Sequence, residues 1–190
     1  MTAARPTSTG KRRDSARSRE LLLEAAADLF AERGYDRSTT REIGERAGVD
    51  PALIARYFGG KAQLYIAVLD LDRASARPAD LLEPGRATAL LEVMARRGAG
   101  PVFRAAVTPL EDPEVQAAAT AQLHWRLVDP LCERFTREGL DRPRLRAELA
   151  LAAFVGVVLS RGSGAFPDLA EAGTEEIVQL VLEMLAQRPR

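Results

Sequence analysis

Between Thr39 and Lys61 the chain fits two helices and their joint into one short run, TTREIGERAGVDPALIARYFGGK. Thr39 and Glu42 have the spacing of a capping box, so a helix starts at Thr39 or Thr40, with Ile43 and Ala47 as its apolar side. Gly48-Val49 leaves room only for a tight connection. Asp50 suits the cap of the next helix, and Pro51 suits its first position, where no amide hydrogen is needed. That helix is over within two turns, at Gly59-Gly60. So short a helix is not stable alone, and its neighbours must hold it. At about 3.6 residues per turn, Ile54 and Phe58 share one side and can pack inward. Ala52, Leu53, Ala55 and Arg56 lie round the other side, an outward face of small residues with one aliphatic chain and one arginine.

Helical spacing dominates the rest of the chain, and no convincing alternating strand interrupts it, so the expected fold class is all-α. Leu22, Ala25, Ala26, Leu29 and Phe30 make one face of a first helix, which Gly34 ends. A fourth helix runs from about Lys61 toward Arg77, before Pro78. Later helices lie near Arg86 to Arg97, after Pro101, from Asp112-Pro113-Glu114 to Gly139, from Asp141 to about Arg161, and from Thr174 to about Gln187. Pro130 sits inside the long one and predicts a kink or a split. Residues 1–14, rich in Thr, Ser, Pro, Gly and basic residues, read as a disordered basic arm. Residues 15–61 read as a compact head, and residues 62–190 as a helical body.

The 27 Lys and Arg balance 27 Asp and Glu, which argues against a wholly basic nucleic-acid coat protein. The balance is uneven along the chain: residues 1–61 carry 12 basic against 9 acidic side chains, so a polyanion should meet the front. Cys132 is the one cysteine, which fits a reducing cytoplasm. The first twenty residues lack the apolar core of a signal peptide, and the longest apolar run, Leu149 to Leu159, falls short of the ~20 residues that span a bilayer. The expectation is a cytoplasmic protein with no membrane partner. His124 and Cys132 stand eight residues apart on one helix and cannot touch. With no phosphate-binding glycine loop and no cluster of metal ligands, an enzyme is not expected, nor a metal or cofactor.

A glycine-containing turn that leads into a short helix with a small and basic outer face is the helix-turn-helix design. Its second helix lies in the DNA major groove, where small side chains let the backbone approach the bases. Lys61 would then reach a phosphate as a point charge. Residues 21–69, LLLEAAADLFAERGYDRSTTREIGERAGVDPALIARYFGGKAQLYIAVL, resemble without a gap the DNA-binding region of the TetR (tetracycline-repressor) family of transcriptional regulators. The resemblance lies in the AA-x-LFAERGYD-x-TT segment, the I-x-x-x-AGV turn and the Y-F-x-x-K ending. Beyond residue 70 the chain resembles the family only in being helical and of suitable length.

The resemblance implies a homodimer with two DNA-binding heads and a C-terminal domain that dimerises and holds a small-molecule effector. It implies a palindromic double-stranded operator and, in a repressor, release by the effector. Carried over by position, Thr40 and Arg41 would touch phosphate and a base edge, and Pro51, Ala52 and Leu53 would line the groove. Tyr57 would bond a phosphate through its hydroxyl, and Lys61 would bind the backbone. One departure stands out: the family's common tyrosine two residues before Tyr57 is Ala55 here, and Arg56 either replaces that contact or reads guanine. The plain alternatives are that Tyr57 covers the first helix, that Arg41 and Arg56 are solvated charges, and that the head docks a protein rather than DNA.

In the body, Trp125, Leu127, Val128, Leu131, Cys132 and Phe135 form a broad apolar arc with His124 in its middle. Gln122, Arg126, Asp129, Glu133 and Arg137 fall opposite. His124 and Trp125, with Met94 and Phe103, are therefore candidates to line a ligand pocket, apolar with one placed polar group. The alternative is a core histidine satisfied by a backbone carbonyl, with Trp125 as packing. An effector entering between the fourth helix and the long one would tilt the fourth. Residues 149–159, LALAAFVGVVL, are apolar all round, with a smooth stripe at Ala152, Gly156 and Ser160. Ile177, Val181, Met184 and Leu185 give the last helix its own apolar face. These last two long helices are expected to pair with their copies across a two-fold axis; the alternative is that residues 149–159 are buried core.

Overall fold

Helices form where the apolar spacing places them and stop at the breaks that glycine and proline impose. The computed structural model describes residues 8–75, 77–97, 103, 109–161 and 163–186. The head holds α1 (Ser8–Arg33), α2 (Thr40–Ala47) and α3 (Ala52–Phe58), and α4 (Lys61–Ser75) leads out of it. The body continues with α5 (Arg86–Arg97), α6 (Pro113–Leu123), a π-helical turn (His124–Val128) and α7 (Asp129–Arg137). It closes with α8 (Pro143–Arg161), α9 (Pro167–Glu171) and α10 (Thr174–Ala186). No strand occurs among the described residues, and the fold is all-α. None of the described helices is long and apolar enough to cross a membrane.

One expectation needs correcting. Helix α1 starts at Ser8, so residues 8–14 of the supposed disordered arm are helical; residues 1–7 lie outside the described residues. The physical reason is propagation. Once Leu22, Ala26, Leu29 and Phe30 are buried, each added turn needs no new nucleus, and Arg13, Ala16 and Arg17 are good helix formers. The polar side of the long helix is itself partly covered. Gln122 is buried, and it and Arg126 both bond Asp72 of α4, at 3.3 and 2.6 Å. The start of that side packs on α4, while Glu133 and Arg137 farther along are exposed. The short helix expected after Pro101 lies outside the described residues, apart from the buried Phe103.

Pro130 splits the long helix, and the neighbouring chain completes the break. A proline has no amide hydrogen to give the carbonyl four residues before it. That carbonyl belongs to Arg126, and it accepts the Ala79 amide at 2.8 Å instead. The π-helical turn absorbs the altered register just upstream. A kink thus ties the segment after α4 to the middle of the body.

The head core centres on three rings. Tyr65 of α4 meets Phe30 edge-on at 5.0 Å and Tyr35 at 5.2 Å. Around them Leu22, Leu29, Ile43, Ile54 and Leu64 are buried. Helix α8 buries Ala147, Ala150, Leu151, Phe154 and Val155. Its other side stays open: Leu149 is 58% exposed and Leu159 48%. Ala152 and Gly156 are exposed on that helix too. On α10, Ile177 is buried, while Leu180 and Met184 are exposed.

The Asp72 cluster predicts a stability effect. Asp72→Ala leaves the Gln122 amide buried without this acceptor, and should lower stability by about 1–3 kcal/mol in urea unfolding.

Candidate nucleic-acid interface

Local chemistry builds the supporting helix first. The Thr39 hydroxyl accepts the Glu42 amide at 3.2 Å, and the Glu42 carboxylate accepts the Thr39 amide at 2.9 Å, closing the capping box. Arg33 of α1 pairs with Glu42 at 2.8 Å, and Arg46 holds Glu32 with two bonds of 2.7 and 2.8 Å. These pairs stitch α2 onto α1. Gly48 ends α2 in the left-handed region, at φ 64°.

The Asp50 carboxylate accepts the Ala52 amide at 2.9 Å and caps α3. Pro51 precedes the first regular residue of that helix, Ala52. The close packing of α2 against this turn depends on Gly44, whose importance the sequence reading missed. A Cβ built on Gly44 would stand 2.5 Å from the Pro51 ring and 2.8 Å from the Val49 carbonyl oxygen. The available signal was the glycine itself, since mid-helix glycine costs about 1 kcal/mol against alanine and needs a packing reason.

Helix α3 sends Ile54 into the core and leaves Ala52, Ala55 and Arg56 exposed. Pro51, Leu53 and Tyr57 are half-buried at the margins of that flank. Phe58 faces α1, with the Arg19 guanidinium 4.8 Å above its ring. Arg56 has no carboxylate partner among the described residues; its guanidinium lies 6.0 Å from the Tyr57 ring, the outer limit of a cation–π contact. Thr40 is half-buried in the first turn of α2. Arg41 is exposed and paired with Glu45 at 2.8 Å, an exposed pair of the kind that contributes little. The flank therefore offers a close-approach surface, one unpaired guanidinium, and a phenol and an ammonium at its edge.

Lys61 is less free than the sequence suggests. It is half-buried, with its Nζ 4.1 Å over the Tyr35 ring. Burial pulls its ammonium below the ordinary lysine value, against the opposing pull of Asp36 and Glu111. Burial likewise pushes the Tyr35 hydroxyl up, helped by the Asp112 and Asp36 carboxylates. Beside them Gln63 donates to Glu114 at 3.3 Å. The start of α4 thus touches the start of α6 at the base of the head.

The four candidate pocket residues differ in their surroundings. Met94 and Phe103 are buried in the core. His124 is half-buried, with Nδ1 2.9 Å from the Arg144 guanidinium. Trp125 is half-buried beneath Arg73, whose guanidinium lies 4.6 Å from the ring. A small apolar pocket, partly open to solvent, lies elsewhere in the body, among α5, α7, α8 and α10. Its lining includes Leu81, Leu91, Leu131, Phe154, Ile177 and Val181, and none of those four. Among the described residues no group of three or more His, Cys, Asp or Glu is placed to hold a metal.

A short helix with an open small-residue flank, locked against a capped support helix, defines the helix-turn-helix class of regulator head. Residues 22–68 match the family described as "Bacterial regulatory proteins, tetR family", and residues 85–188 match "Tetracyclin repressor-like, C-terminal domain". The chain belongs to the tetR family of bacterial regulatory proteins, whose members here are transcriptional regulators and not enzymes. It is 46% identical over 69 residues to the HTH-type transcriptional repressor Rv3405c of Mycobacterium tuberculosis, which takes in 33% of this chain and 37% of that protein. It is 33% identical over 97 residues to the HTH-type transcriptional repressor AcnR of Corynebacterium glutamicum, 51% of this chain and 43% of that one. The chain thus spans well under half the length of these curated relatives. In fold it is similar to a TetR family regulator from Marinobacter aquaeolei, with TM-score 0.60, 23% identity, and 92% and 96% of the two chains covered. It is also similar to the fatty acid degradation regulator FadR from Bacillus halodurans, with TM-score 0.59, 18% identity, and 90% and 99% covered.

Gly44→Ala should destabilise the head by about 1–3 kcal/mol, because the methyl group must displace Pro51 or the Val49 carbonyl. Urea unfolding followed by circular dichroism measures it; an unchanged midpoint would show that α2 and α3 can separate at no cost.

Proposed function

We propose that this chain is a homodimeric, sequence-specific DNA-binding transcriptional regulator, a repressor released from a palindromic operator by a small-molecule effector. The observation that carries the reading is the flank of α3, where Ala52, Ala55 and Arg56 are open to solvent. Small residues there admit the helix to the major groove, and Arg56 is free to bond a base edge or a phosphate. Tyr57, Lys61, Thr40 and Arg41 stand round it as backbone contacts, with Pro51 and Leu53 lining the groove beside Ala52. Phosphate binding draws Lys61 off the Tyr35 ring and exchanges the exposed Glu45 carboxylate for phosphate at Arg41. The repressor role is supported by the names of two relatives, Rv3405c and AcnR.

Dimerisation is supported by the apolar side chains left open on α8 and α10, Leu149, Leu159, Leu180 and Met184. Ala152 and Gly156 give the same helix a smooth stripe for close approach. Two heads so joined bind half-sites roughly 34–36 Å apart, one DNA turn. Effector release is supported by the way α4 is fastened: Gln63 bonds Glu114 at one end, and Asp72 bonds Gln122 and Arg126 at the other. A shift of the body at either point moves the helix that begins with Lys61.

Selection of bound duplexes from a random pool tests the reading directly. The expected product is a symmetric site; a pool that shows no enrichment, with the head docking a protein instead, overturns it. On the selected duplex, Lys61→Gln should weaken binding across sequences alike and reduce the slope of log K against log salt by about 1. Gly156→Arg should convert the dimer to monomer in analytical ultracentrifugation and reduce operator affinity with it.

A further inference from the structure

Arg56 is the one charged residue of α3, and it stands where that helix faces away from the rest of the head. It follows Ile54 by two residues, about 200° round the helix. Ile54 is 1% exposed, so the side opposite it is the outermost line of α3. Ala52, one turn before Arg56, and Ala55, next to it, are exposed as well. Leu53 and Tyr57 are half-buried at the margin. Arg41 is paired with Glu45 at 2.8 Å, and Lys61 lies over the Tyr35 ring. Arg56 has neither kind of anchor: no carboxylate meets it among the described residues, and the Tyr57 ring is 6.0 Å away.

The dimensions of the groove separate the two partners such a guanidinium could take. With its side chains a helix is about 10–12 Å across, and the major groove of B-DNA is about 12 Å wide. A helix seated there fills the width. Its margins then meet the phosphate walls, and its outermost line meets the base edges on the floor. Helical side chains lean toward the N-terminus of their helix. Arg56 therefore extends over Ala52, whose methyl group leaves the way to the floor open. Tyr57, at the margin, is the residue placed for a wall.

A guanidinium has five N–H donors in a planar fork and no acceptor. On the floor of the major groove only guanine offers two acceptors, N7 and O6. Adenine sets one acceptor beside a donor, cytosine offers a donor, and thymine offers one acceptor beside a methyl group. We infer that Arg56 is a specificity-determining residue that reads one guanine in each half-site through O6 and N7, and that it is not a phosphate clamp. The inference rests on the DNA-binding reading above and adds the base that is read. Under two-fold symmetry the operator carries two such G·C pairs, one on each side of its dyad.

Duplexes enriched from a random pool by the full chain are the probe. They should share a guanine at one position of each half-site. Pools enriched by folded Arg56→Ala and Arg56→Gln chains should lose that guanine and keep the rest of the site. 7-Deazaguanine, which lacks the N7 acceptor, is then placed at the two positions. It should weaken the unaltered chain at least about fivefold and the Arg56→Ala chain less than about twofold. A phosphate contact gives a different result: both variants bind every duplex more weakly by one factor and still select the guanine, which overturns the inference. Equal loss from 7-deazaguanine in the two chains also overturns it. Should both variants fail to fold, nuclear Overhauser contacts in the complex of the unaltered chain decide. Contacts from the Arg56 side chain to the guanine H8 support the assignment, and contacts confined to sugar protons overturn it. A pool without enrichment sinks the DNA-binding reading and this inference with it. A symmetric site indifferent to Arg56 leaves that reading standing and sinks only this inference.

Discussion

The absence of a side chain at Gly44 is the condition on which the head depends. Helix α3 is seven residues long and contributes one fully buried side chain, Ile54. It is too short to be stable by itself. Its position comes from the turn before it, where Pro51 and the Val49 carbonyl press against the bare Cα of Gly44. The capping box at Thr39 fixes the start of α2, and the two arginine–glutamate pairs fix α2 on α1. A rigid support thus presents a helix whose outer flank owes nothing to packing. That freedom allows Ala52 and Ala55 to be small and Arg56 to stand without a counter-ion.

The charge arrangement repeats this division. Arg33 and Arg46 are neutralised along the α1–α2 seam by Glu42 and Glu32, and Arg19 is seated on Phe58. Among the groups round the recognition flank, Arg41 has an exposed and weak partner, and Arg56 has no carboxylate within the described residues. Basic residues that build the head are paired, while those that face outward are left loosely held or open. A mild basic excess over residues 1–61 becomes a local positive surface through this sorting rather than through net charge.

Much of the head was legible in the sequence, because its signals are local. Capping-box spacing, an aspartate before a proline, and glycine at a helix end act over three or four residues and survive any tertiary setting. The all-α architecture followed from the same periodicity. Gly44 was visible only as an anomaly, since what it avoids is a proline seven positions away. Lys61 read as a free phosphate clamp because nothing near it in sequence discloses the Tyr35 ring beneath it. In the body the signal fades. The arc that marked His124 and Trp125 shows that a helix side is apolar but not what covers it, and Arg144 and Arg73 prove to be the neighbours. Gln122 could be placed opposite the arc, but the sequence does not disclose that Asp72 of α4 is its partner. The cavity draws its walls from the segment before α5 and from four separate helices, so no spacing along the chain could announce it.

The bend at Pro130 has a mechanical meaning. Prolines within helices are commonly regarded as compliant points, yet here the orphaned Arg126 oxygen is riveted to the Ala79 nitrogen. Just beyond, Asp80 clamps Arg134 on the downstream half of the same column. The connecting strap therefore crosses the elbow and grips it on both sides. Bending at this elbow would have to break both contacts, so the strap stiffens the column at the point where the proline would otherwise weaken it.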